Sequence, residues 1–182
     1  LGALAGSRTL LTLAQLVGLA ATAIHLWLMQ RVLESGMRKR LGLSFVLVRT
    51  AWAMLPATLL AGLAALYGLA GRNGGTLFGF LLLFGWLLTF LLAILQRIMP
   101  FLASMFAPPV ASGGTAIVSE FANARSLKLH AICHGLALVL LAAAILLGDT
   151  TLARLGSAAG LTGALAFAWF TADVIRKIVP PR

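Results

Sequence analysis

Five apolar segments, each close to the length a helix needs to cross a bilayer, dominate this sequence and leave few folds open to it. They cover residues 10–32, 44–69, 77–98, 128–147 and 153–176. A helix rises about 1.5 Å per residue and the hydrocarbon core is about 30 Å thick, so roughly 20 residues suffice. Lipid offers the backbone no hydrogen-bonding partner, and a segment this apolar must therefore satisfy its amides internally as a helix. The expected fold is all-α, a polytopic integral membrane bundle of five transmembrane helices forming a single transmembrane domain over residues 1–182. Its longest connection is the loop 106–126.

Composition supports this expectation. Apolar residues make up 61% of the 182 positions and charged residues 10%, with a mean hydropathy of +1.03. Those values leave too little polar surface for a water-soluble domain of this size. The loop 106–126 holds Pro108, Pro109, Gly113 and Gly114, with room for at most a short interfacial helix near 116–125.

The net charge of +10 follows topology rather than a nucleic-acid footprint. Arg31, Arg38, Lys39, Arg40 and Arg49 surround the first connection. Arg97, Arg125 and Lys128 surround the third, and Arg176, Lys177 and Arg182 close the chain. Only Arg8, Arg72 and Arg154 fall on the opposite side. The positive-inside rule then puts the C-terminus in the cytoplasm and the N-terminus outside. The Ala, Leu, Gly and Arg bias points to a bacterial inner membrane. The first segment reads as a spanning helix, being longer than a signal h-region of about 7–15 residues. Because the sequence opens on Leu1 with an outside terminus, further residues are expected before it.

Packing signals are local. Gly156 and Gly160 stand at GxxxG spacing with Gly163 and Ala164 nearby, a face expected to meet another helix, within the chain or in a homo-oligomer. Gly18, Ala21, Thr22, His25 and Met29 share one face of the first helix. Pro56 interrupts the hydrogen bonding of the second and is expected to bend it, statically or as a hinge. The four tryptophans read as packing or belt residues.

Ionisable side chains inside apolar segments are costly and tend to mark function. His25, Arg49, Arg97, His130, His134 and Asp173 all fall toward the expected cytoplasmic half. His25 and His134 lie at similar depth on different helices, the arrangement of a bis-histidine b-type haem. In that reading Arg49 and Arg97 meet the propionates. Copper is the related option, held by His25 or by His130, His134 and Cys133, with Met99 or Met105 as a soft ligand. A proton or metal-ion path through this layer is a further alternative, as are purely structural histidines and an Arg49–Asp173 ion pair. Cys133 is the single cysteine, so no intrachain disulfide forms. Nucleotide-binding loops, HExxH and GxSxG are absent from the sequence, as are paired carboxylates, and a stand-alone hydrolase is not expected.

The run Gly85-Trp86-Leu87-Leu88 leading to Leu95-Gln96-Arg97-Ile98-Met99-Pro100-Phe101-Leu102, with His25, Gln30-Arg31 and Leu129-His130-Ala131-Ile132-Cys133-His134, resembles bacterial inner-membrane proteins loosely related to the haem-copper oxidase subunit I-like group. The resemblance implies a helical bundle allied to haem-carrying respiratory proteins and favours His25, His130 and His134 as ligands. This chain has only three histidines, and Phe106 stands where a further one is expected. The implied role is therefore a haem-carrying or accessory subunit in electron transfer, working with other membrane subunits. A non-catalytic assembly subunit and a small metal-ion or proton permease are the alternatives.

Overall fold

The structure is a computed structural model and describes residues 7–35, 42–106 and 124–178. All regular structure among them is helical, and five helices are long and apolar enough to cross a membrane. Helix α1 is Arg8–Ser35 and α2 is Leu43–Leu66. Helix α3 is continuous but changes its winding: an α segment Gly74–Phe80, a π-helical segment Leu81–Leu88 and an α segment Thr89–Phe106. Helix α4 is Ala124–Leu147 and α5 is Thr150–Ile178. Even the shortest, at 24 residues, reaches about 36 Å.

The helices outrun the apolar segments that announce them, because polar residues at their ends continue the same backbone hydrogen bonding. Arg125 and Lys128 lie inside the first turns of α4. At the other end of α2 the helix stops at Leu66, three residues short of the apolar run. The interfacial helix expected near 116–125 falls outside the described residues except for its last two positions, which belong to α4.

Two tight connections follow from residue type. Gly68 and Gly71 take φ of 73° and 65° between α2 and α3, and Gly148 takes 68° after α4. That left-handed backbone carries little penalty only without a Cβ. The N–H of Gly148 donates to Ala144 at 2.8 Å, and Asp149 then caps α5 by accepting the Thr151 and Leu152 amides at 2.6 and 3.2 Å. Asn73 ties the α2–α3 connection to the last turn of α4, donating from Nδ2 to the Ile145 carbonyl at 2.8 Å.

The exterior is as apolar as the interior: Val17, Val139, Leu161, Leu165 and Trp169 are all more than 60% exposed. A soluble protein does not display so much aliphatic surface. Inside, α3 buries Thr89, Ala93, Gln96, Pro100 and Ala103, spaced four, three, four and three residues apart along one helix face. Ala103 joins Leu127, Phe170 and Val174 in a core closed by Leu43, Met99 and Phe167.

Helices α4 and α5 form the tightest pair, and the GxxxG face is spent on it. A Cβ at Gly156 would lie 2.8 Å from Leu141 Cγ, and one at Gly163 would lie 3.2 Å from the Cys133 Cβ. The face expected to meet another helix meets α4 of the same chain. Helix α1 packs along α2, with Gly18 against Leu59 and Thr22 buried. Helix α2 runs unbroken through Pro56.

Candidate functional site

Helices α3, α4 and α5 enclose a cavity of about 360 Å³. Its walls are aromatic and aliphatic, including Phe80, Phe84, Leu88 and Leu92 from α3 and Phe167 from α5. Among the described residues its only ionisable wall residues are His130 and His134 of α4. Phe80, Phe84, Leu88 and Leu92 follow one another at four-residue steps. Such steps drift about 40° around an α-helix. The wider π turn, bonded i to i+5, takes up that drift and keeps the four side chains on one wall.

His130 is 2% exposed, and its Nδ1 lies 2.9 Å from the Gly163 carbonyl oxygen. A carbonyl only accepts, so Nδ1 carries the proton and Nε2 presents a lone pair. That Nε2 is buried and has no partner among the described residues. Gly163 permits this bond, since the absence of a Cβ lets α5 come close enough for its carbonyl to reach the ring.

His134 has the opposite tautomer. Its Nε2 lies 2.8 Å from Thr89 Oγ1, and that hydroxyl donates to the Phe84 carbonyl at 2.9 Å. The hydroxyl has one proton to give, so His134 Nε2–H must be the donor to Thr89. The Phe84 carbonyl lies in the π segment, so the altered winding and the histidine are linked by one hydrogen-bonded chain. The two imidazoles stack with centroids 5.6 Å apart and 21° between planes, and Phe167 tilts onto His130 at 5.1 Å.

The remaining candidates lie elsewhere. His25 is exposed on α1 and presents its ring edge-on to Trp52 at 6.1 Å; it is not in the cavity wall. Arg49 is exposed over Phe45 and lines a separate depression with Gln30 and Trp52. Arg97 is exposed on the last α segment of α3, nine residues before Phe106. Cys133 is a half-buried free thiol beside Gly163. Met99 receives a long contact from Thr171, and Met105 is exposed. Asp173 pairs with Lys177 one turn away at 3.0 Å, which replaces the expected Arg49–Asp173 bridge.

These placements bear on what the site can hold. His130 and His134 project side by side from one helix and cannot face each other across one iron. No arginine or lysine lines the cavity among the described residues, so propionates would lack cations there. As placed, the residues do not fit a haem held by two histidines. Among the described residues there is no group of three or more histidine, cysteine or acidic side chains able to hold a metal ion. Thr89 and the phenylalanine wall carry no sequence signal of their own, since an intramembrane threonine or phenylalanine is ordinarily a packing residue.

No family model, no curated protein and no solved structure matches this chain.

Proposed function

We propose that this chain is a multi-pass subunit of a bacterial inner-membrane redox complex, with its C-terminus cytoplasmic, and that its working element is the cavity between α3, α4 and α5. In this reading the cavity takes an uncharged molecule from the lipid phase and fixes it through His130. One observation carries the proposal: His130 Nε2 is a buried lone pair without a partner among the described residues, on a ring that lines the cavity. An unmet polar atom in an apolar interior costs about 1–3 kcal/mol, and a bound ligand that satisfies it recovers that cost. Pockets of about 300–1,000 Å³ with a few placed polar groups are the ordinary form of small-molecule sites.

The test is mass spectrometry of molecules extracted from the protein purified in native lipid discs. A small molecule retained in near-equal amount by the wild-type chain is expected, and it should be absent from Ala164→Phe. Ala164 lines the cavity yet is exposed, so a larger side chain there obstructs the opening without entering the core. Equal recovery from both proteins, or none from either, overturns the proposal.

Haem with a single axial histidine, its propionates directed out of the cation-free cavity, is the second reading. What favours it is the His130 Nδ1–H bond to a carbonyl, the same arrangement that orients metal-bound imidazoles. An absorption spectrum of the same sample decides between the two, because stoichiometric haem gives a Soret band. The assembly-subunit and permease readings draw no specific observation from the described residues.

A further inference from the structure

The chemistry of the cavity narrows the class of molecule that satisfies it. We infer that the site between α3, α4 and α5 binds a hydroxyl-bearing aromatic ring, a phenol or hydroquinone with an apolar tail, whose hydroxyl donates to His130 Nε2. This inference rests on the binding role proposed above and specifies its ligand.

Polarity comes first. His130 gives its ring proton to Gly163, so what remains for a ligand is an acceptor. A molecule that only accepts, such as an oxidised quinone or a ketone, meets a lone pair with a lone pair. A molecule with an O–H or N–H completes the bond. The neighbouring imidazole does not relax this requirement, because His134 commits its own N–H to Thr89. Its ring instead stacks on His130 and, with Phe167 on the other contact, holds the plane of the acceptor fixed.

Charge comes next. No arginine or lysine lines the cavity among the described residues. A fatty-acid carboxylate or a phospholipid phosphate would enter a low-polarity site without a counter-ion, which is prohibitive. The hydroxyl must therefore belong to an uncharged molecule.

Shape comes last. Phe80 and Phe84 stack at 5.5 Å with 25° between planes, and Phe167 of α5 is a third aromatic wall residue. Aromatic walls favour an aromatic occupant through stacked and edge-on contacts. Gly160 and Gly163 also line the cavity, and their missing side chains let α4 and α5 approach closely beside it. The exposed Ala164 marks where an apolar tail would leave for the lipid. Only binding is inferred, with no electron or proton transferred.

The experiment compares three probes on the full chain in phosphatidylcholine discs under anaerobic conditions: decylubiquinol, its dimethyl ether and decylubiquinone. They share ring and tail and differ in the donor. Binding is followed by tryptophan fluorescence and by the ¹⁵N shift of His130 Nε2. The expected result is that the quinol binds about tenfold tighter than either donor-free probe, the worth of roughly one hydrogen bond. The His130 Nε2 signal should move on quinol addition alone. Ala164→Phe should weaken all three. His130→Phe should bring the quinol down to the level of its ether; should that variant fail to fold, the comparison of probes on the wild-type chain stands by itself. Equal affinity for the three probes, still sensitive to Ala164→Phe, overturns the donor assignment and leaves the cavity as a binding site. No binding by any of them, together with no co-purified molecule, overturns both.

Discussion

His130 donates from Nδ1 to the main-chain oxygen of Gly163, 2.9 Å away across the close approach of α4 and α5. The bond joins packing to chemistry: the small residue that lets the helices touch also sets which ring nitrogen of His130 is left bare.

The two histidines should be opposite neutral tautomers. Selective ¹⁵N labelling of histidine should show His130 protonated at Nδ1 and His134 protonated at Nε2, because each has a single acceptor fixed by geometry. The same tautomer on both rings would contradict the hydrogen-bond assignments.

A graded series is expected along the α5 face. Gly156→Ala places a Cβ 2.8 Å from Leu141 and 3.1 Å from the Leu140 Cβ, and Gly163→Ala places one 3.2 Å from the Cys133 Cβ. Each should cost about 1–3 kcal/mol by overpacking. Gly160→Ala meets only the Ala137 Cβ at 3.6 Å, ordinary contact, and should be close to neutral. Unfolding titrations in mixed detergent give the ranking.

Thr89 is fully buried, and its hydroxyl joins His134 to the Phe84 carbonyl. Thr89→Val keeps the shape but strands the buried His134 N–H, for a loss of about 1–3 kcal/mol. Thr89→Ser retains the hydroxyl and should recover most of that loss in the same assay. A valine variant as stable as wild type would mean that the chain contributes nothing.

His25 should behave as a packing residue. Its ring is exposed and meets Trp52 edge-on, so His25→Phe should change stability by less than about 0.5 kcal/mol and leave probe binding intact. Loss of a Soret band in His25→Phe would instead restore the haem between α1 and α4.

The Asp173–Lys177 pair joins partly exposed residues one turn apart on α5. Pairs of this kind contribute about 0.3–0.5 kcal/mol. Asp173→Asn should therefore shift the unfolding midpoint only slightly, and a large shift would require a further partner for the carboxylate.

Fold class and helix number were legible in the sequence because they depend on local quantities. Whether a segment of some twenty residues is apolar enough for lipid is settled within that segment, and the small-residue face of α5 and the glycine turns at Gly68, Gly71 and Gly148 are equally local. The π winding of Leu81–Leu88 was not legible, since its residues are those of any apolar helix. Depth along the helix placed His25 and His134 in one layer, but depth is only one coordinate. Which side of the bundle each ring occupies depends on the order in which the helices pack, and that order put His25 on Trp52 and His134 on Thr89. The sequence by itself determined five apolar helices and a sparse polar layer, because transfer into lipid is a sum over single segments. Tertiary structure alone decided that His130 lines a cavity with a bare nitrogen, because that state requires a carbonyl from α5 and walls from α3 to converge on one ring of α4.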